Sequence, residues 1–255
     1  MENSIQMVDT VNFVLQGKGG IGKSLVAKML AAWFTKIAAP VKCYDLDQEN
    51  TTLADHKSLS AVHLNVMRAD LTIDPKQFDE LMVEILESEG TNYVIDVGAN
   101  TFSPLMAYLI SNNAFDTIRD AGKIPVIHSI VGGGAELQHT AEGFESVAGQ
   151  TCAPKVETDV DLIVWENEHF GPLLTDGGKH FSETKMFSAF SSRVKANVVM
   201  KARASDTFGD DVRKMNKARL TLDDVLSGSE FNVMEKNRIK RVYHDVFAQL
   251  DQVAW

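Results

Sequence analysis

The sequence predicts an α/β fold, a mostly parallel, doubly wound sheet flanked by helices. Short β-branched apolar runs alternate with longer amphipathic stretches, the pattern of strands joined by crossover helices. A glycine-rich segment follows the first apolar run and leads straight into the first amphipathic one. A later run, Tyr93 to Val97, carries an aspartate near its end, where open α/β sheets hold their ligands.

Val11 to Leu15 reads as the first strand and Gly22 to Ile37 as the first helix. Val41 to Asp45 is the second strand, and Val62 to Val66 a weaker one in which His63 and Asn65 alternate with apolar residues. Asp74-Pro75 opens a helix to about Ser88, with Asp74 as N-cap and Pro75 at the first helical position. Tyr93 to Val97 is a strand, and Ser103-Pro104 starts a helix by the same device. Ile124 to Ile130 is a strand, then Gly132-Gly133-Gly134 and a helix to about Val147. Leu162 to Trp165 and Val198 to Met200 are the last strands, and the remainder is helical, closing with a helix from about Phe231 to Val253. No repeat or Pro-rich linker divides the chain, so residues 1–255 are expected to form a single domain with a helical C-terminal part from about 205.

The composition is 44% hydrophobic and 24% charged, with a formal net charge of −10. That charge argues against a surface committed as a whole to nucleic acid. Cys43 reads as a small buried hydrophobe and Cys152 as a loop residue, with no disulfide framework. The N-terminus, Met1-Glu2-Asn3-Ser4, has no secretory pattern, and no apolar run approaches the roughly 18 residues of a membrane span. A cytoplasmic protein is expected. The seven histidines show no zinc-ligand spacing, and no G-x-S-x-G elbow is present.

Gly17-Lys18-Gly19-Gly20-Ile21-Gly22-Lys23-Ser24 matches G-x-x-x-x-G-K-[ST] in full. Glycines let successive backbone N–H groups point inward around a phosphate, and the first helix, with Leu25 in its opening turn among the expected nucleotide-binding residues, aims its positive end at the same oxygens. Lys23 reaches the β- and γ-phosphates and the Ser24 hydroxyl ligates Mg²⁺. ATP with Mg²⁺ is the expected ligand of this P-loop. Asp96 would hold a Mg²⁺-bound water, and Gly98 would let the next loop approach the γ-phosphate. Asp45 and Asp47, so close to a triphosphate, must contact metal or position water, or else cap a turn.

With Lys18 inside it, the loop resembles the deviant Walker A of the ParA/MinD group of P-loop ATPases. The resemblance implies that Lys18 crosses an ATP-sandwiched homodimer to the partner's nucleotide, while Lys23 and Ser24 act within the subunit. It further implies that Asp47 orients the attacking water, that Asp96 is the Walker B aspartate, and that Asn167 contacts adenine. Across nearly the whole chain the sequence is similar to the plasmid conjugal-transfer TraL family. The matching stretches are VLQGKGGIGKS, VIDVGANTFSPL, YLISN, WENEHFGP from Trp165 to Pro172, and LTLDDVL. That likeness implies a plasmid-borne ATPase in DNA transfer or maintenance, with other proteins of that machinery as partners. The segment after Asp47 (Gln48-Glu49-Asn50-Thr51-Thr52) departs from the ParA pattern. The loop Val97-Gly98-Ala99-Asn100 has no cysteine, against the iron–sulfur cluster of the related nitrogenase iron protein.

Two further signals carry two readings each. Between Arg193 and Arg219 stand eight basic and three acidic residues, either a non-specific DNA patch or, as favoured, a solvated helical face. Ile239, Val242, Val246, Phe247 and Leu250 form a stripe on the last helix, a membrane-surface face or, more commonly, a face docked on the core. An ATP-driven dimerising switch leads the functional expectations. A small-molecule phosphotransferase and a non-hydrolysing ATP-binding recruitment module stand as alternatives.

Overall fold

The computed structural model describes residues 9–70, 72–151 and 160–255. Cys152 lies outside them. Seven parallel strands form one sheet in the order β3-β2-β4-β1-β5-β6-β7: β1 (Thr10–Leu15), β2 (Val41–Asp45), β3 (Val62–His63), β4 (Asn92–Asp96), β5 (Ile124–Gly132), β6 (Asp161–Asn167) and β7 (Val194–Met200). β1, β4 and β5 are buried along nearly their whole length, which is why they read as continuous apolar runs. Between β4 and β5 the chain passes from one side of β1 to the other, and the segment Gly17 to Ser24 leaves the carboxyl end of β1 at that reversal.

Helices cover both faces. One face carries α2 (Gln77–Glu87), α3 (Ala99–Ser111), α4 (Ala114–Asp120), α5 (Leu137–Thr151) and α6 (Lys185–Phe190), whose apolar sides pack on Phe13, Tyr93, Ile95 and Leu162. The other carries α1 (Lys23–Lys36), α7 (Asp210–Lys217), α8 (Leu222–Ser227) and α9 (Val233–Leu250), packed on Val14, Val94, Ile163 and Val198. All three tryptophans gather in this second core. Trp33 stacks on Trp255 at 4.9 Å, and Trp165 donates to Nδ1 of the buried His128, whose ring lies 6.3 Å from Trp255. The stripe of α9 belongs here too. Ile239, Val246, Phe247 and Leu250 are buried, so the stripe is spent on the core.

Several boundaries differ from expectation, each for a local reason. β3 stops at His63 because the Gln48 side chain bonds Leu64 O at 2.9 Å and Val66 N at 3.2 Å, taking groups a longer ladder would use. α3 begins at Ala99, not at Ser103-Pro104. The Gly98 carbonyl accepts from Thr101 and Phe102 and starts the helix early, leaving Pro104 inside it. α2 begins at Gln77, while the Asp74 carboxylate accepts from Lys76 N at 3.2 Å. β6 and β7 extend beyond the runs that announced them, and a five-residue π turn, Ser205–Gly209, precedes α7. No helix among the described residues is long and apolar enough to cross a membrane.

Candidate nucleotide site

The site is built at the carboxyl ends of β1, β2, β4 and β6. Gly20 (φ +76) and Gly22 (φ +104) adopt left-handed backbone that L side chains resist, so these two glycines are required by the path of the loop itself. Two buried amides hold that path. Gln16 Nε2 donates to Ile130 O at 2.9 Å and Thr140 O at 3.1 Å. Asn167 Nδ2 donates to Ile21 O at 2.9 Å while its Oδ1 accepts from His169 N. Asn167, expected at adenine, ties the P-loop and also lines the cavity beside it. Gln16 went unremarked in the sequence, where a polar residue ending an apolar strand is its only sign.

Lys23 is buried and its Nζ donates to Lys18 O at 2.9 Å, curling the loop around the ammonium. Burial lowers its pKa, and the charges of Asp96 and Asp47 oppose the drop. Lys18 pairs within the chain, its Nζ 3.4 Å from Glu136 Oε2. Glu136 ends a 3₁₀ turn fixed by interlocked backbones. Gly133 N donates to Asn167 O and Gly134 N to Pro172 O, and a Cβ on Gly133 would lie 1.9 Å from Gly171 O. The GGG and FGP segments therefore position one another.

The two strand-end aspartates beside the loop differ. Asp45 Oδ2 accepts from Leu53 N (2.8 Å) and Ala54 N (2.9 Å), and Oδ1 from Asp47 N (3.0 Å). It shapes the loop after β2, and both of its oxygens accept from these amides. Asp96 Oδ2 is buried with no hydrogen-bond partner. Burial pushes the Asp96 carboxyl up to about 7; the nearby Ser24 hydroxyl opposes that rise, Asp45 adds to it, Lys23 opposes it and Asp47 adds to it. Asp47 Oδ1 accepts from Glu49 N and Asn50 N, both at 3.0 Å. Gly98 lets the two loops meet, since a Cβ there would stand 2.8 Å from Asp47 Cα. Thr101 Oγ1 ties the same junction by donating to Leu46 O at 2.8 Å.

An unpaired carboxylate oxygen and a serine hydroxyl are hard oxygen donors of the kind Mg²⁺ prefers. Ser24, Asp96 and Asp47 are the residues that could hold it. Next to the loop opens a cavity of about 330 Å³, walled by Gly22, Leu25, Met29, Asn167, Phe208 and Val246 among others, a volume in the range of small-ligand pockets.

The chain superposes on the MinD cell division protein of Aquifex aeolicus in its MinC:MinD complex with a TM-score of 0.52 at 12% identity, over 96% of this chain and 97% of that one. It superposes on a ParA family ATPase from Chlorobium tepidum TLS with a TM-score of 0.54 at 11% identity, over 95% and 99%. The fold is that of the MinD and ParA P-loop ATPases. A scan of family models gives no match. Two proteins named TraL from Escherichia coli are each 36% identical over 244 residues, 96% of this chain and 98% of theirs. The chain belongs to the TraL family.

The basic stretch is largely neutralised at short range. Lys195 pairs with Asp161 (2.8 Å), Lys214 with Glu235 (2.9 Å) and Arg219 with Asp55 (3.1 Å), while Arg203 pairs with Asp245 and Arg213 with Asp210. A basic side chain already paired with a carboxylate must give up that partner to neutralise a DNA phosphate and release its counterion, which favours the solvated-face reading.

Proposed function

We propose that the chain binds Mg²⁺-ATP at Gly17 to Ser24, hydrolyses it slowly, and uses it to switch between monomer and homodimer in plasmid conjugal transfer or maintenance. The observation that carries this is the unpartnered Asp96 Oδ2, shut from water beside Ser24 and Lys23. A buried carboxylate left unsatisfied is costly, and a bound cation is what such an oxygen suits.

In this reading the loop N–H groups and Lys23 hold the β- and γ-phosphates. Ser24 and Asp96 would hold Mg²⁺, with Asp47 as the third candidate, and the ion when bound would neutralise charge on the phosphates. The cavity beside Gly22 takes the base and ribose, with Asn167 fixing the loop between phosphates and base. Asp47, steadied by Glu49 N and Asn50 N, orients the attacking water. Lys18 must leave Glu136 to reach a partner's phosphates, so the Lys18–Glu136 pair is a contact that dimerisation exchanges. Each subunit carries −10, and a lysine crossing each way offsets part of the repulsion. Removal of the γ-phosphate would release the pair.

The two backbone donors on Asp47 Oδ1 also suit a module that binds ATP without hydrolysing it, and that reading separates by rate alone. Molar mass by light scattering, with Mg²⁺-ATP and with Mg²⁺-ADP, tests the switch. It is expected to double with ATP for Asp47→Ala and to stay monomeric for Lys18→Ala. One mass for wild type and both variants in both nucleotides overturns the crossing-lysine role.

A further inference from the structure

The P-loop helix buries a second lysine that none of this chemistry uses. Lys28 is 4% exposed. Its Nζ donates to Asn216 Oδ1 on α7 and lies 3.5 Å from His56 Nε2. His56 is fully buried and closes the loop that begins at Leu46. Its Nδ1 is 2.8 Å from Thr52 O. A carbonyl can only accept, so Nδ1 carries the proton and Nε2 presents its lone pair to the ammonium. The contacts recorded for Lys28 are therefore neutral acceptors from two different elements.

A methionine would fill this space without the cost of burying an ammonium, so packing alone is a poor account of the lysine. Burial drives its pKa down to about 8, with Asp96 opposing and Arg219 adding to the drop. At neutral pH it is still mostly an ammonium, and its donors join two elements. On one side stands the loop 46–56, pinned in its second half by Asp45 through Leu53 N and Ala54 N. On the other stands α7, whose Val212, Arg213 and Asn216 form one wall of the 330 Å³ cavity. Two more bridges tie the adjoining segments: Arg219, just past α7, to Asp55 at 3.1 Å, and Ser58 Oγ to Asp224 Oδ1 on α8 at 2.8 Å. Asn216 is at once a cavity wall and the acceptor of Lys28.

We propose that Lys28 is a positioning residue that couples filling of the cavity beside the P-loop to the placement of the loop carrying Asp47. The inference rests on the reading that an adenine nucleotide occupies that cavity. A ligand against Asn216 fixes α7, Lys28 carries the constraint across α1, and His56 delivers it to the end of the Asp47 loop. The loop is set by the nucleotide's base as well as by its phosphates.

Hydrogen exchange of residues 46–56, with and without saturating ADP, tests this in wild type, Lys28→Met and Asn216→Ala. ADP is expected to slow exchange of these amides about fivefold or more in wild type, in the range of coupling through packed networks. With ADP raised until each variant is saturated, both variants are expected to lose that slowing. A lysine that only supports the fold would instead raise exchange equally in both conditions. Asn216 is half-buried and its alanine variant keeps Lys28, so a failure of Lys28→Met to fold leaves the test standing. Equal slowing in wild type and in the variants overturns the inference, as does ADP binding to wild type with no slowing. No ADP binding to wild type overturns the nucleotide reading itself, and the inference with it.

Discussion

Asp45 and Asp96 end neighbouring strands, face each other in register and are both shut off from solvent. The oxygens of Asp45 are filled by three backbone N–H groups of its own loop. Asp96 keeps an oxygen that nothing fills. Residue type, strand position and burial are the same, so none of them separates an architectural carboxylate from one available to a ligand. The difference lies in hydrogen-bond satisfaction. A filled acceptor has already exchanged water for protein, whereas an empty one bears the full cost of burial.

Substitutions at the two positions should therefore fail in opposite ways. Asp45→Ala strands three backbone donors, at about 1–3 kcal/mol each, and is expected to remove several kcal/mol from a total of about 5–15. Urea unfolding reads this, and a loss under about 1 kcal/mol would erase the contrast. Asp96→Asn should leave the free protein as stable as wild type, or more so, because a neutral amide replaces an unpaired carboxyl. The same change should weaken Mg²⁺-dependent nucleotide binding at least about tenfold, as loss of a group holding metal or its water does. Calorimetric titration with and without EDTA measures it, and an unchanged Mg²⁺ dependence would return Asp96 to the architectural class.

Gly98→Ala sharpens the contrast at the junction between the two aspartate loops. Its Cβ would press on Asp47 Cα, and overpacking of this kind costs about 1–3 kcal/mol. Thermal unfolding should show the loss, and a neutral Gly98→Ala would mean the loops part easily. The smallest effect is expected at Glu136→Gln, which frees Lys18 from an ion pair worth about 1 kcal/mol or less. Stability should hardly change while ATP-driven dimerisation needs less protein, readable by light scattering across a concentration series. A dimer that forms less readily would make Glu136 part of the interface instead of a restraint on Lys18.

The central strands and the P-loop were legible because their signals are local: apolar runs, and glycines demanded by backbone φ. The helix at Ser103-Pro104 misled because proline at a first turn is also local, while the true start is set by the Gly98 carbonyl. β3 was overextended because Gln48 reaches its backbone from 16 and 18 residues away. At the candidate site, Lys23, Ser24 and Asp96 could be named from spacing. Glu136 and Gln16 could not, since each acts through a partner distant in sequence. Lys28 lay unnoticed inside Leu25-Val26-Ala27-Lys28-Met29-Leu30, because its acceptor, Asn216, is 188 residues further on. The difference between Asp45 and Asp96 was likewise invisible, as it depends on where the loop 46–56 turns its amides.

The gathering of Trp33, Trp165 and Trp255 on one side of the sheet has a practical optical consequence. The α2–α5 side holds no tryptophan, so intrinsic emission is a private reporter of the layer formed by α1 and α7–α9. Trp165 and Trp255 lie 6.1 and 6.3 Å from the His128 ring and Trp33 stacks on Trp255, so excitation can migrate among the three indoles. Any loosening of the C-terminal helices should redden the spectrum before the far side of the sheet registers a change. Comparing that signal with far-ultraviolet circular dichroism during unfolding would show whether the two faces melt together or in turn.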